Sequence, residues 1–401
     1  MQYVDLFCGI GAFHAALNDL GHQCIFACDL NNAAADVYEL NWGRPGGHRV
    51  CNDFRDVVDK IPPMDIICAG LPCQPFSKSG GQMGFMDQTR GTLWYDVFGL
   101  VETHKPKILF FENVPNMVNI DNGNTFSVIS KIINELGYSM WYKTINSVHF
   151  GIPQNRPKLF IVAIRKELLN EREFVFPVGQ YNKDEVDLNT ILEPDTTDEF
   201  DLTEEEIFYL EAWNDFLQNV NTKTKLPGHP IWFDWFEGGN TNQRIWDEWK
   251  LNGKTLDDLA KWRLDFIQKN SQLYLENKKF IDIWSKKWSV ENFPKSHRKF
   301  EWQAGPESRS IWENLIQFRP SGIRVKRPTY TPGLVGIGQV PIVGWLKRRL
   351  TIRERARLQS LPDDFIIDRK HGNNWDRMLG NSINVKVVYE IMQEIESTIN
   401  S

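Results

Sequence analysis

Cys73 stands in Leu71-Pro72-Cys73-Gln74-Pro75-Phe76-Ser77, directly after the apolar run Asp65-Ile66-Ile67-Cys68-Ala69-Gly70. Such a run predicts a short, fully buried strand, and the two prolines hold the sulfur in a stiff loop at the carboxyl edge of a sheet. That edge is where open α/β sheets bind ligands. A thiol there becomes a nucleophile when nearby positive charge or helix dipoles lower its pKa; otherwise a free Cys is a small buried hydrophobe. Glu112 ends a second run, Ile108-Leu109-Phe110-Phe111, where it is either a working acid or a solvated carboxylate. Arg156 and Lys158 flank Pro157 and share a face, because i and i+2 in an extended segment point the same way. The proline predicts an edge strand.

A second group could hold a ligand. Phe7-Cys8-Gly9-Ile10-Gly11 follows the first predicted strand and opens the first helix, so glycine lets backbone N–H groups approach a ligand there. The dinucleotide fingerprint wants a third glycine at 14, where this chain has His14. Asp29 and Leu30 end the second strand, the usual place for a carboxylate that grips ribose hydroxyls. Asp53-Phe54 is placed after a third strand, and Phe7 and Phe54 offer aromatic faces to an adenine. The alternative is that Asp29 caps a helix and both Phe are core. Taken together the set favours an adenosine ligand, S-adenosylmethionine as readily as NAD.

The elements that position these groups alternate over the first 165 residues. Strands are predicted at 3–7, 23–28, 65–69, 108–111, 140–147 and 159–164, and helices at 12–20, 33–42, 93–103 and 126–136. Short apolar runs separated by helical periods predict βαβ units, an α/β fold with a mainly parallel sheet and helices on both faces. Past about 176 the character changes. Thr203-Glu204-Glu205-Glu206 is a capping-box pattern opening a helix. Ten of the fifteen Trp lie between Trp213 and Trp312 at spacings suited to a helical core, with helices predicted at 256–270 and 271–287. Residues 319–343 read as strands and turns, and 351–360 and 384–397 as helices. The domains drawn are 1–176, a mixed α+β domain over 177–344, and a C-terminal segment 345–401 folding back onto the first.

All six cysteines lie within the first 73 residues without a Cys-x-x-Cys pair, which argues against disulfides and zinc and for a reducing cytoplasm; no metal site is expected. No apolar run approaches the roughly 20 residues of a membrane span. The net charge of −6 argues mildly against a polyanionic partner. Its distribution argues the other way: residues 184–211 hold twelve carboxylates and no Lys or Arg, and 319–370 hold twelve Lys or Arg against four acids. A local basic face is what a polyanion would feel.

With Asp5-Leu6-Phe7-Cys8-Gly9-Ile10-Gly11, Gly70-Leu71-Pro72-Cys73-Gln74-Pro75-Phe76-Ser77, Phe111-Glu112-Asn113-Val114, Gln154-Asn155-Arg156-Pro157-Lys158, Arg349-Leu350-Thr351 with Arg353-Glu354 and Leu358-Gln359, and Gly380-Asn381-Ser382 in this order, the chain resembles a bacterial cytosine-5 DNA methyltransferase. The resemblance covers roughly 3–165 and 345–395 and leaves the middle as the family's variable target recognition domain. It implies S-adenosylmethionine as cofactor, held by Phe7, Gly9, Gly11, Asp29, Leu30, Asp53, Phe54, Pro72, Asn381 and Ser382, with Gly380-Asn381-Ser382 folding back beside Gly9. It implies that Cys73 adds as a thiolate to C6 of cytosine, so that C5 becomes nucleophilic toward a methyl group. Glu112 then serves N3 and the exocyclic amine, and Arg156 and Lys158 are the cations for the charge that develops. The family usually has Arg at both positions; Lys158 keeps the charge but loses the fork.

The target base must leave the duplex, and Gly80-Gly81-Gln82-Met83-Gly84 reads as a lid, with Ser77 and Gln82 touching DNA and Gln82 or a neighbour filling the gap. Arg319, Arg324, Lys326 and Arg327 are the expected groove and phosphate contacts in the middle domain. The expected partner is double-stranded DNA, with a cognate restriction endonuclease acting separately, no membrane and a monomeric chain. The expected setting is restriction–modification or orphan methylation. A tRNA cytosine-5 methyltransferase remains as the alternative with the same chemistry, a non-catalytic DNA-binding regulator as one from another class, and an NAD oxidoreductase as the weakest.

Overall fold

A computed structural model of the 401-residue chain describes residues 1–71, 92–221, 228–236 and 261–400. Cys73, Pro72, Ser77 and the Gln82 loop lie outside the described residues.

The chain opens with β1 (Gln2–Leu6), α1 (Ala12–Asp19), β2 (Gln23–Cys28), α2 (Asn32–Trp42), the short α3 (Phe54–Val57) and β3 (Ile66–Gly70). It continues through α4 (Thr92–His104), β4 (Ile108–Asn113), α5 (Asn124–Glu135), β5 (Tyr138–Asn146), β6 (Gln154–Asn155) and β7 (Pro157–Arg165). The large sheet has the order β2-β1-β3-β4-β7-β5. β2, β1, β3 and β4 run parallel and β7 runs antiparallel between β4 and β5, so the sheet is mainly parallel, as the sequence predicts. β4 is buried along its whole length, and its near-continuous apolar run is what cover on both faces requires. Strand order reverses at β1, which has β2 on one side and β3 on the other, and the loop through Gly9 leaves its carboxyl end there. Ligands bind such sheets in that crevice.

Pro157 corrects the edge-strand expectation. β7 is an inner strand, and the proline is tolerated because it is the first residue of β7, beyond the end of the β4 ladder, which stops at the Asn113–Leu159 pair. The third strand expected before Asp53 is only an isolated bridge between Asp29 and Cys51.

α6 (Glu204–Asn219) opens on Thr203, whose side chain accepts from Glu206 N–H while Glu206 accepts from Thr203 N–H, the predicted capping box. There follow β8 (Ile231–Trp232), α7 (Lys261–Trp288), β9 (Lys299–Gln303), β10 (Leu315–Arg319) and β11 (Gly322–Lys326). The sequence predicts two helices over 256–287. Within the described residues α7 is one helix, with a local break at Asn277, whose side chain holds Leu273 O and Asn221 N–H. Strand β12 (Thr331–Pro332) then pairs with β6, and β13 (Ile342–Val343) and β14 (Arg348–Arg349) complete a second sheet of order β14-β13-β10-β11-β9-β8. α6 and α7 pack on it through Trp213, Phe216 and Trp284, with Phe300, Trp302 and Val325 from the strands. Trp213, Trp235 and Trp284 are fully buried, the core role expected for them.

The chain ends in α8 (Ile352–Leu358), α9 (Asn374–Asn381) and α10 (Val385–Asn400), the last packed on α1. Backbone packing divides the molecule into one unit of Met1–Glu193, Thr329–Gly338 and Ile352–Ser401 and another of Pro194–Pro328 and Gln339–Thr351. The divisions fall later than the 176 and 344 drawn from sequence. Residues 177–193 bury Val186, Leu188 and Ile191, and Glu193 N–H donates to Glu354 of α8. Arg348–Arg349 is a strand of the second sheet. No helix among the described residues is long and apolar enough to cross a membrane.

Candidate functional site

Strand register brings the first group together. Gly70, the last residue of the strand that leads to Cys73, is the partner of Glu112 across β3 and β4, and Glu112 faces Phe160 of β7 on its other side. Two residues before Phe160, Lys158 reaches back to the same carboxylate, Nζ lying 2.6 Å from Glu112 Oε1. Glu112 is only 6% exposed. An acid and a cation therefore share one buried spot at the carboxyl end of β4, beside the end of β3. A carboxylate taken out of water needs such a partner, and Lys158 supplies it with a single mobile ammonium.

Arg156 goes elsewhere. Its Nη1 donates to Leu334 O at 2.7 Å, and its Nη2 to Gly380 O and Ser382 O at 2.6 Å each. Burial pushes the guanidinium down to about 10, opposed by the charge of Glu112, so it stays protonated at neutral pH. The shared face expected for Arg156 and Lys158 resolves into two destinations, because both terminal nitrogens of Arg156 are taken by backbone carbonyls. The sequence reading also passed over Gln154 as a working group. It is fully buried, donates to Leu358 O and accepts from Leu334 N–H.

At the end of β1 the backbone takes left-handed φ at Phe7 (56°), Gly9 (55°) and Gly11 (86°). For Phe7 this is strain, of a kind that clusters at ligand sites. Gly9 N–H donates to Asp29 Oδ2 at 2.8 Å and Asn31 N–H to Oδ1 at 2.7 Å. Burial raises the Asp29 carboxyl, and those two donors and Arg377 of α9 oppose it. The cap of α2 is Asn31, not Asp29. Each Asp29 oxygen keeps acceptor capacity for a hydroxyl. Beside it Leu30 is 71% exposed, an apolar side chain held out at a strand end.

Phe7 and Phe54 form one aromatic corner, centroids 5.4 Å apart, with Phe54 buried in the core and Phe7 partly open. Asp53 accepts from Arg55 N–H and caps α3. Asn381 is exposed, and Ser382 is buried with its carbonyl on Arg156. A ribose-type acceptor, apolar faces and glycine-opened backbone suit the adenosine of S-adenosylmethionine. His14, where the dinucleotide fingerprint wants glycine, stacks on Trp42 at 5.0 Å and meets Tyr38 Oη at 2.7 Å. The close approach falls instead at Gly11, where a Cβ would lie 2.3 Å from Trp42 Nε1. Asp5, next to the last residue of β1, is fully buried; burial first, and then Asp29, raise its carboxyl.

In the second unit, Arg319 and Arg324 both donate to Glu301, at 3.2 Å and 2.9 Å to Oε2. Arg324 pairs with Glu301 and with Gln317 across β9, β11 and β10, so the row lies on one face of the sheet. Ile323 and Val325 point to the core from the other face. Lys326 shares the face of Arg324, and Arg327 is held near Glu307 and Ala304 O.

The family profile described as C-5 cytosine-specific DNA methylase matches residues 1–397. The chain is similar to the Type II methyltransferase M.AluI of Cellulosimicrobium cellulans, 31% identical over 98% of this chain and 91% of that protein. It is also similar to the Type II methyltransferase M.HhaI of Haemophilus parahaemolyticus, 43% identical over 44% of this chain and 53% of the relative. Among solved structures, the Dnmt2 methyltransferase of S. pombe matches with a TM-score of 0.52 at 15% identity, covering 100% and 99% of the two chains. The methyltransferase EhMeth of Entamoeba histolytica matches at 0.54 and 15%, covering 99% and 98%. At that identity the likeness is one of fold.

Proposed function

The chain belongs to the C-5 cytosine-specific DNA methylase family, and from that membership we propose that it methylates C5 of one cytosine within a short duplex DNA sequence. The reaction runs through a bond between Cys73 and C6 of a base turned out of the helix. The observation that carries this reading is the buried Glu112–Lys158 pair beside the end of the strand that leads to Cys73.

The Cys73 thiolate adds to C6. Electron density moves through the ring toward N3 and O2, and C5 gains enamine-like nucleophilicity. In its protonated form Glu112 donates to N3, and its carbonyl oxygen accepts from the exocyclic amine. Lys158, freed from its resting partner, places its ammonium at O2. S-adenosylmethionine would be held by Asp29 with Leu30, Phe7 and the Gly9 backbone and would supply an electrophilic methyl group, departing as S-adenosylhomocysteine. Once C5 carries the methyl, its proton leaves to water, the C6–S bond breaks to return the Cys73 thiolate, and N3 gives its proton back to Glu112. Asn381 and Ser382 line the cofactor crevice. In the second unit, Arg319, Arg324, Lys326 and Arg327 read or grip DNA, and the segment through Ser77 and Gln82 meets the opened duplex. The enzyme acts as a cytoplasmic monomer, in restriction–modification with a separately acting endonuclease or as an orphan methylase.

Bisulfite sequencing of DNA from cells expressing the chain is expected to show 5-methylcytosine in one short motif. Duplexes carrying 5-fluorocytosine at that position should be trapped covalently with cofactor present, and Cys73→Ala should abolish the adduct. Methylation of tRNA and not of duplex DNA would move the substrate to RNA. Methyl transfer without an adduct at position 73 would end the covalent mechanism.

A further inference from the structure

Arg156 has the setting of a brace. Its guanidinium is buried and its terminal nitrogens meet three main-chain carbonyls, from residues 178, 224 and 226 positions away in the chain. Two of those carbonyls, Gly380 O and Ser382 O, stand at the carboxyl end of α9, where unpaired carbonyls and the helix dipole favour a cation. The third belongs to Leu334, whose N–H is held by Gln154 Oε1. Both backbone polar groups of Leu334, its N–H and its carbonyl, are therefore held by side chains of one short segment, 154–156.

That segment is itself fixed. Asn146 Oδ1 accepts from Arg156 N–H at 2.9 Å, and β12 pairs with Gln154 and Asn155. Gly380 completes the junction: a Cβ there would lie 2.5 Å from Gly336 N and 2.6 Å from Val335 C. The other end of the brace is two residues on. Pro157 has a fixed φ, so the backbone at 156 sets where β7 starts and hence where Lys158 meets Glu112. α9 also carries Arg377, which is charge-coupled to Asp29.

We propose that Arg156 is a positioning residue that holds 380–382 and 334 as the wall of the cofactor crevice and ties that wall to the strand presenting Lys158, so that its first effect is on cofactor affinity. The proposal rests on the reading above that the crevice takes S-adenosylmethionine. A lysine at 156 would keep the charge but offer one nitrogen where two reach three carbonyls.

The test uses the purified full-length chain and S-adenosylhomocysteine, the demethylated cofactor, in titration calorimetry beside steady-state kinetics on duplex DNA. With charge-assisted hydrogen bonds lost, Arg156→Lys is expected to bind S-adenosylhomocysteine about tenfold more weakly. The KM for S-adenosylmethionine should rise in step, while kcat at saturating cofactor stays within about threefold of wild type. Gly380→Ala, which disturbs the same junction with Arg156 intact, should show the same split. Unchanged S-adenosylhomocysteine affinity with a collapsed kcat would overturn the proposal and place Arg156 at the base. If Arg156→Lys does not fold, unchanged affinity in Gly380→Ala overturns it alone. A wild-type chain that fails to methylate DNA overturns the proposed function instead, so the two failures are distinct.

Discussion

Two carboxylates paired with basic side chains, Glu112 in the first unit and Glu301 in the second, sit in opposite settings. Glu112 is nearly closed off from water and faces one ammonium, on an inner strand whose register with both neighbours fixes it. Glu301 is about a quarter exposed and shared by two guanidiniums on a sheet face whose other side makes the core. The first pair cannot be re-formed with another partner unless something enters the pocket, because water does not compensate a lone buried charge. The second leaves surplus positive charge and can exchange partners at small cost, since exposed pairs are weak. One arrangement suits a reaction that needs atoms fixed in advance, the other a surface that must settle on a polyanion.

The contrast can be broken most sharply at Glu112. Glu112→Gln is expected to lower kcat by about 10²–10⁴-fold, the range for losing a positioned proton donor, with duplex binding retained. Radiolabelled methyl transfer against a gel-shift assay checks it, and activity within tenfold of wild type would put the proton elsewhere. Lys158→Met should strand the buried carboxylate and lower stability by about 3 kcal/mol in urea unfolding. Adding Glu112→Gln should then restore most of that loss, and a double-mutant cycle without coupling would mean that the pair is not a unit.

At the exposed site, Glu301→Gln should move stability by less than about 1 kcal/mol. It should nonetheless strengthen binding to unrelated duplexes and steepen the salt dependence, because one neutralising charge is removed. An unchanged salt slope would take this face away from DNA.

The smallest effect concerns titration inside the first unit. Burial lowers His14 from 6.5 to about 4. The folded chain thus binds this proton less readily than the unfolded one, and stability complete above about 6.5 should decline as pH falls toward about 4. His14→Gln should flatten that part of a melting-temperature profile, while wild type and variant coincide near pH 8.

The parts of the site legible in the sequence are those written locally. The apolar runs before Gly70 and at 108–111 read as buried strands, and the capping box at Thr203 fixed a helix start. The two glycines after β1 marked a backbone opening. Single-position signals did worse. Pro157 suggested an edge because proline cannot donate to a ladder, and nothing local tells that the neighbouring strand has already ended. Phe54 read as a ligand face, whereas its side chain is committed to the core. Residues 329–338 have no periodicity and fall within the 177–344 domain drawn from sequence, yet they belong to the first unit, where Thr331 and Pro332 pair with Gln154 and Asn155.

What the sequence determined by itself was the class of fold and the inventory of reactive groups, since strand and helix periods and motif order are properties of neighbouring residues. Which group meets which was decided only by tertiary structure. Arg156 and Lys158 stand two residues apart with like charge, and no local rule sends one to Glu112 and the other to carbonyls more than 170 residues distant. Strand register and the return of the chain to its own beginning make that choice, because a buried charge must settle where its partners already are.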